Sequence, residues 1–203
     1  MTVLTHFLLW NLGLAKPWTW YSAGECESLE RYARGKKKLA EIGCWQGVNT
    51  RRLRSVMDSE GVLVAVDPYP PGRIGFNAAQ RIAHREVGKC KNGRVRWMKM
   101  TDGEAAREIK ESGEGLFDFI FSDSLNTYEG LKAAWEAWSP LAASGCVYII
   151  ANSAPAPGRG IEKAGSVVFT REVILKDSRF HLRETVETFT ILERLSWPEN
   201  KED

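Results

Sequence analysis

Short apolar runs alternate with longer amphipathic stretches along most of this chain, and this alternation restricts its fold more than any other feature. Apolar runs of strand length are predicted at 39–43, 61–66, 95–100, 117–121 and 146–150. Stretches with apolar residues at helical spacing lie between them, at 49–57, 78–87, 103–111 and 128–138. Parallel strands need such crossover connections, and right-handed crossovers place helices on both faces of the sheet. The order therefore predicts an α/β fold with a doubly wound, mostly parallel sheet.

The C-terminal part departs from this alternation. One more helix is predicted over 165–176, and two strand-like runs follow at 180–186 and 188–194 with little chain between them. So short a connection permits only antiparallel pairing. We therefore expect an antiparallel hairpin to close the sheet.

Composition and charge exclude several classes of protein. The 203 residues suit one globular domain, and 28 Lys and Arg residues against 26 Asp and Glu residues give a formal net charge of +2. This balance gives no simple argument for a nucleic-acid partner. The longest apolar run near the start, Phe7 to Trp10, is far shorter than the ~18 residues of a membrane span, and no basic signal-peptide start precedes it. The four cysteines are widely spaced, which is typical of reduced thiols in a cytoplasmic protein.

Three segments follow from the local composition. Residues 1–35 form an aromatic-rich segment predicted to be helical, residues 36–197 contain the strand and helix alternation, and residues 198–203 form a flexible tail. The aromatic segment has three interpretations that the sequence leaves open. It is a helix packed on the sheet edge, a lid whose rigid rings cover an acceptor pocket, or a surface through which a homo-oligomer forms.

Polar residues or glycines follow four strands in a row. Gly43 and Gly47 come after the first predicted strand, Asp67 after the second, Asp102 after the third and Asp123 after the fourth. Open parallel sheets bind ligands beyond the carboxyl ends of their strands. Glycine permits a close backbone approach to a ligand, and an acid placed like Asp67 can accept hydrogen bonds from both ribose hydroxyls. Together these residues predict a nucleoside site, although each acid alone would be read as a helix cap or a turn residue.

Two common nucleotide motifs are absent from the chain. A dinucleotide fingerprint needs G-x-G-x-x-G, but Trp45 stands in place of its second glycine and Val48 in place of its third. No G-x-x-x-x-G-K-[ST] sequence occurs anywhere. The loop after the first strand is therefore not a pyrophosphate cradle.

Several segments together resemble the class I S-adenosylmethionine-dependent methyltransferases. They are 41–47, 64–67, 101–103, 117–123 and the closing hairpin, and the resemblance covers roughly residues 38–194. The stretch 123–130 further resembles small bacterial methyltransferases related to the catechol-type O-methyltransferases, whose fourth strand ends in D-G-D-H-x-Y-E. The resemblance implies a seven-stranded, Rossmann-like sheet whose last strand is antiparallel. It also implies S-adenosylmethionine as the cofactor and a small-molecule acceptor, methylated on oxygen.

The same resemblance implies roles for the residues at the strand ends. Glu41, Gly43 and Gly47 would line the methionine part of the cofactor, Asp67 would hold its ribose, Pro68 or Tyr69 would flank the adenine, and Asp102 would accept from the adenine amino group. Asp123 is assigned both to the cofactor site and to catalysis.

The catalytic part of the family pattern is incomplete in this chain. Metal-dependent relatives place an Asp after the fourth strand, an Asp-Asn pair after the fifth and a Lys as base. Here Asp123 is kept, Asn126 takes the place of that Lys, and Ala151-Asn152 replaces the pair. One carboxylate and one amide suit a hard dication poorly, so we predict no metal site and metal-independent transfer.

Three residues are the candidates for catalysis. Asp123 could take the acceptor proton because burial raises carboxyl pKa values. Asn126 or Tyr128 could orient an acceptor hydroxyl, although Tyr128 also begins an apolar helix face and could simply pack in the core.

Two other functions stay open. The basic stretch 73–99 would suit an RNA methyltransferase, and the missing base would suit a non-catalytic cofactor-binding protein.

Overall fold

The computed structural model describes residues 2–72, 75–123 and 125–196, so the predicted flexible tail, 198–203, lies outside the described residues. Within them, seven strands form one sheet. They are β1 (Lys38–Ile42), β2 (Val62–Val66), β3 (Arg94–Met98), β4 (Phe117–Ser122), β5 (Ala142–Ile150), β6 (Phe180–Val186) and β7 (Phe189–Arg194). The strand order across the sheet is β3-β2-β1-β4-β5-β7-β6.

The pairing of these strands confirms the predicted fold class. β1 pairs in parallel with both β2 and β4, and β2–β3 and β4–β5 are also parallel. β7 is antiparallel to both β5 and β6. The strand order reverses next to β1, so the loops after β1 and β4 face a crevice at the carboxyl ends of the strands, where such sheets bind ligands.

Helices cover both faces of the sheet. They are α1 (Val3–Asn11), α2 (Ala23–Ala33), α3 (Val48–Val56), α4 (Ala78–Gly88), α5 (Asp102–Ser112), α6 (Tyr128–Trp138) and α7 (Gly165–Glu172). One face of the core is built around Ile120, Trp138 and Tyr148, and the other around Leu53 and Phe119, all of them buried. None of the described helices is long and apolar enough to cross a membrane.

Two predicted element boundaries differ from the structure by four residues, and the others by no more than two. β5 begins at Ala142 rather than at residue 146, because Ala142 already pairs with Phe117 before the register shifts between Phe117 and Phe119. The irregular stretch in between contains Gly145 at φ 75°, which hides the start of the strand from a periodicity argument. The helix predicted over 165–176 ends at Glu172 and is followed by a short 3₁₀ turn, Ile174–Lys176.

The N-terminal segment contains two helices that pack on the rest of the chain. α1 packs against α4, and α2 packs against α3. Ser22 begins α2 with a reciprocal capping box, in which its side chain accepts from the Glu25 amide while the Glu25 carboxylate accepts from the Ser22 amide. The residues between the two helices cross the carboxyl edge of the sheet.

We predict that Gly47→Ala lowers the free energy of unfolding more than Gly35→Ala does. Both glycines have a left-handed backbone, with φ of 73° and 69°, so each substitution carries a strain of about 1–2 kcal/mol. A Cβ at Gly47 would also lie 2.8 Å from the Cα of Ala83 on α4, whereas nothing lies within 4 Å of one at Gly35. Overpacking of this kind costs a further ~1–3 kcal/mol. Urea denaturation of both variants measures the difference, and equal losses would contradict the close packing of α3 on α4.

Candidate functional site

The loop 43–47 connects β1 to α3 and approaches two other parts of the chain closely. Gly43 has φ 90°, and a Cβ there would collide with the backbone carbonyl oxygen of Asp123 at the end of β4. Gly47 lies against Ala83 of α4 in the same way. The sequence suggested that both glycines make room for a ligand. In the structure, each of them makes room for another part of the chain.

Asp67 holds this loop in place through its carboxylate. One oxygen, Oδ2, accepts hydrogen bonds from the backbone amides of Cys44 at 3.1 Å and Trp45 at 2.8 Å. The other, Oδ1, accepts from the amide of Tyr69 at 2.9 Å. A carboxylate has about four acceptor positions, so one remains on Oδ1. This geometry leaves room for one ribose hydroxyl on Asp67, where the sequence suggested two.

Pro68 and Tyr69, which the sequence offered as alternatives beside the adenine, point in different directions. Pro68 is exposed and lines a cavity. Tyr69 has φ 39° and is buried against Cys44 and Ala83. Its hydroxyl donates to the carbonyl oxygen of Trp45 at 3.0 Å, and burial raises its pKa. Tyr69 therefore supports the loop 43–47 from behind instead of facing the cavity.

The larger cavity of the site lies at the carboxyl ends of β1, β2 and β4, beside the start of α5. Its volume is about 320 Å³, which is within the range of small-ligand sites. It is lined by Ile42, Gly43, Val66, Pro68, Thr101, Asp102, Asp123 and Leu125. Ile42 and Val66 supply an apolar floor, while Asp102 and Asp123 supply carboxylates. The sequence analysis did not assign Thr101 or Leu125 to the site, although Thr101 directly precedes Asp102 and Leu125 lies two residues after Asp123.

A second, narrower cleft separates the loop 43–47 from residues 18–21 of the N-terminal segment. Its volume is about 30 Å³, roughly the space of one water molecule. It is lined by Trp18, Thr19, Trp20, Tyr21, Gly43, Cys44, Trp45, Gln46, Val48, Asn49 and Asp123. Gly43 and Asp123 line both spaces, so the cavity and the cleft meet at these two residues.

The N-terminal segment is attached to the loop 43–47 by hydrogen bonds and ring contacts. Gln46 accepts from the Trp18 amide at 2.7 Å, and its side-chain oxygen lies 3.2 Å from Nε2 of His6. The His6 ring stacks on Trp18, with centroids 3.9 Å apart. Trp20 stacks against Trp45 at 5.9 Å. The segment thus forms one wall of the cleft, and nothing in the sequence linked His6 or Gln46 to it.

Asp123 is a carboxyl group whose surroundings favour its protonated form. Burial, the largest cause, raises its pKa to about 6, and the carboxylates of Asp67 and Glu25 add to the rise. Hydrogen bonding from Tyr21 works in the opposite direction. At neutral pH Asp123 is therefore mostly ionised but close enough to its pKa to exchange a proton readily.

Glu41 is a fully buried acid on β1, directly before the loop 43–47. Neither of its carboxylate oxygens has a hydrogen-bond partner among the described residues. Burial raises its pKa to about 8, and the charges of Asp123 and Asp67 contribute. Leaving such a group without a partner is costly, so a cationic or hydrogen-bonding ligand group at this end of the site would stabilise it.

Only some of the predicted site residues come together. Gly43, Pro68, Asp102 and Asp123 line the cavities, and Glu41 and Asp67 lie against the loop 43–47. Asn126 is exposed, with its backbone oxygen accepting from the Ser166 amide. Tyr128 packs edge-on against Phe169 at 5.0 Å, beside the core. This ring contact supports the interpretation of Tyr128 as a packing residue.

The structure also describes Asp123, Ala151 and Asn152, the positions at which metal-dependent relatives carry their metal ligands. In the described ranges, no group of three or more His, Cys, Asp or Glu side chains could hold a metal ion. Ala151 is buried and has no side-chain oxygen, and Asn152 has φ 50°.

Solved structures of methyltransferases share this fold. An O-methyltransferase from Bacillus cereus, in complex with SAH, is 20% identical with a TM-score of 0.69, over 95% of this chain and 90% of that one. The O-methyltransferase TomG from Streptomyces achromogenes, in complex with SAM, is 17% identical with a TM-score of 0.69, over 97% and 91%. A putative rRNA methylase from Clostridium thermocellum is 14% identical with a TM-score of 0.61, over 85% and 94%. At these identities the likeness shows a shared fold.

Among curated protein sequences, none matches the chain closely enough to support a relationship. A family model does. Residues 40–153, more than half of the chain and including every strand-end residue discussed above, match the family described as a methyltransferase domain. The chain therefore belongs to this methyltransferase family, as the resemblance of its motifs to class I S-adenosylmethionine-dependent methyltransferases predicted.

Proposed function

We propose that this protein transfers a methyl group from S-adenosylmethionine to an oxygen atom of a small-molecule acceptor, without a metal ion. The observation that carries the proposal is the junction at Asp123 and Gly43, where the larger cavity meets the cleft under the N-terminal segment. A bound cofactor would have its adenosine in the cavity and its methionine end towards the cleft. Its sulfonium would then lie near Asp123.

The residues present fit this cofactor. The apolar floor of the larger cavity suits adenine, with Asp102 as acceptor for its amino group and Pro68 beside it. Asp67 has one acceptor position for a ribose hydroxyl. S-adenosylmethionine carries a sulfonium and an ammonium group, so Glu41, which has no partner among the described residues, and the mostly ionised Asp123 would both gain a cationic neighbour. The cofactor supplies the methyl group, and the chain supplies the acids around its positive charge.

Methyl transfer from a sulfonium is an in-line displacement, so the protein has to position the acceptor oxygen and remove its proton. Asp123 is the acid that reaches both spaces, and its pKa of about 6 suits proton transfer near neutral pH. We propose it as the base. Asn126, on the exposed loop next to the larger cavity, is proposed to orient the acceptor, whereas Tyr128 is assigned to packing. The O-methyltransferases that share the fold support oxygen as the methylated atom.

Asp67→Ala is expected to weaken S-adenosylmethionine binding at least about tenfold, because it removes a charged hydrogen-bond acceptor worth ~1.5–3 kcal/mol. Calorimetric titration measures the effect. Asp118→Ala is the matched control, since Asp118 likewise accepts from backbone amides, in its case those of Lys37 and Lys38, but at the opposite edge of the sheet. Unchanged affinity in Asp67→Ala, or an equal loss in both variants, would contradict the ribose assignment.

Glu41→Gln is expected to change stability and cofactor binding in opposite directions. The folded state raises the pKa of Glu41 from 4.5 to about 8, so the unfolded chain releases this proton first. Wild-type stability therefore falls as pH rises from about 4.5 to 8, and Glu41→Gln removes that loss. Its melting temperature should exceed that of the wild type by more at pH 8 than at pH 5, while its affinity for S-adenosylmethionine falls.

Glu27→Gln on the exposed face of α2 is the control for Glu41→Gln, and neither quantity should change in it. A pH-independent difference between Glu41→Gln and the wild type would show that Glu41 is not the buried acid described above.

Methyl transfer is expected to survive exhaustive chelation. A screen of hydroxylated small molecules, read out as formation of S-adenosylhomocysteine, tests the function itself, and Asp123→Asn should abolish turnover of any acceptor found. EDTA should then leave the wild-type rate within about twofold, because Asp123 and Asn152 supply one carboxylate and one amide, which suit a hard dication poorly. Loss of turnover with EDTA and recovery with Mg²⁺ would overturn the metal-independent proposal.

A further inference from the structure

We propose that Tyr21 is a positioning residue for Asp123, which it orients through a hydrogen bond from its hydroxyl to the Asp123 carboxylate. This inference deepens the proposed function and rests on it, since Asp123 is the proposed base. It gives the N-terminal segment a role in orienting the proposed base, in addition to forming one wall of the cleft.

The ring of Tyr21 is fixed on the strand that ends at Asp123. It lies edge-on to Phe189 of β7, with centroids 4.9 Å apart, and to Phe121 of β4 at 6.1 Å. Phe121 precedes Asp123 by two residues, and Tyr21 and Asp123 line the same narrow cleft. These contacts hold the Tyr21 ring beside the end of β4, in the same cleft as the carboxylate of Asp123, and hydrogen bonding with Tyr21 lowers the pKa of that carboxyl group.

The backbone is anchored on both sides of Tyr21. The carbonyl oxygen of Trp20 accepts from the Arg159 guanidinium at 3.1 Å, in the loop after β5. The amide of Ser22 donates to the carboxylate of Glu25 at 2.9 Å. Tyr21 thus cannot move far from Asp123 without breaking contacts on either side.

Glu25 connects this anchor to the rest of the fold. It is fully buried, it accepts from the amide of Thr188 at 3.1 Å and from the Thr188 hydroxyl, and it lies 3.5 Å from Arg159. A buried carboxylate with so many partners is a rigid point. The position of Tyr21 is therefore set by the β6–β7 turn and the loop after β5 as well as by its own segment.

Two charged groups oppose the ionisation of Asp123, namely Asp67 after β2 and Glu25 on α2. Glu41 on β1 is also coupled to Asp123, but burial raises its pKa to about 8, so Glu41 is protonated and uncharged in the pH range where Asp123 titrates. The Tyr21 hydroxyl favours the ionised form. Burial and the carboxylate of Asp123 hold the pKa of Tyr21 well above its usual value, so Tyr21 stays a donor across the working pH range.

Tyr21→Phe tests the proposal because it keeps the ring contacts and removes only the hydroxyl. The titration of Asp123, followed by carbon-13 NMR of its carboxyl group and identified by its loss in Asp123→Asn, needs no ligand. Its midpoint should rise by about one pH unit in Tyr21→Phe, the effect of losing one hydrogen bond to a charged group. An unchanged or lower midpoint, with the melting temperature retained, would overturn the proposal.

Tyr32→Phe is the matched control. Tyr32 lies on α2 and its hydroxyl is beside the carboxylate of Glu184, so the same atom is removed next to a different acid. The Asp123 midpoint should not move in this variant. Replacing all tyrosines of the wild-type chain by 3-fluorotyrosine, whose hydroxyl is a stronger donor, should lower the midpoint without any substitution. A rise instead would count against the proposal even if Tyr21→Phe failed to fold.

A double-mutant cycle separates this inference from the proposed function. Tyr21→Phe should weaken S-adenosylmethionine binding at pH 6 about three- to tenfold in the wild type, because the ionised fraction of Asp123 falls when its midpoint rises by one unit, but less than about twofold in Asp123→Asn. Equal losses in the two backgrounds would mean that Tyr21 acts only through packing, and the inference would fail. A raised Asp123 midpoint without any effect on binding or turnover would instead count against the role of Asp123 in the proposed function.

Discussion

The carboxylate of Asp67 binds the backbone amides of Cys44 and Trp45, and the shape of both cavities depends on this interaction. It holds the loop 43–47 in the position where Gly43 touches the end of β4 and Trp45 faces the N-terminal segment. An acid at the end of β2 can do this because parallel neighbours bring their carboxyl ends to the same edge of the sheet. Tyr69, which donates to Trp45 from behind, completes the support.

A cluster of acids around this loop has an electrostatic cost that a cationic ligand would offset. The charges of Asp123 and Asp67 raise the pKa of Glu41, those of Asp67 and Glu25 raise the pKa of Asp123, and Glu41 has no hydrogen-bond partner for its carboxyl oxygens among the described residues. Burial separates these groups from water and makes the repulsion larger. S-adenosylmethionine carries a positive sulfonium, which its product S-adenosylhomocysteine lacks. The acidic cluster therefore suits binding of S-adenosylmethionine and release of S-adenosylhomocysteine.

The N-terminal segment joins the site through contacts from several distant elements. Gln46 accepts from Trp18, Arg159 donates to the backbone at Trp20, and Glu25 binds the turn between β6 and β7. These bonds place Tyr21 at the end of β4. The narrow cleft beneath the segment follows from the same contacts, since its walls are held from both sides of the sheet.

The sequence by itself determined the sheet, its closing hairpin and the acids at the strand ends. Periodicity identifies each strand and helix locally, and the order of these elements along the chain, together with topology rules, then gives the architecture. It placed Asp67, Asp102 and Asp123 at one edge for the same reason. Only the tertiary structure decided that Tyr69 turns away from the cavity, that Tyr128 packs on Phe169 and that Tyr21 lines the same cleft as Asp123. Each of these depends on which side chains meet after the helices and the N-terminal segment have packed. No spacing along the chain encodes such contacts between residues far apart in sequence.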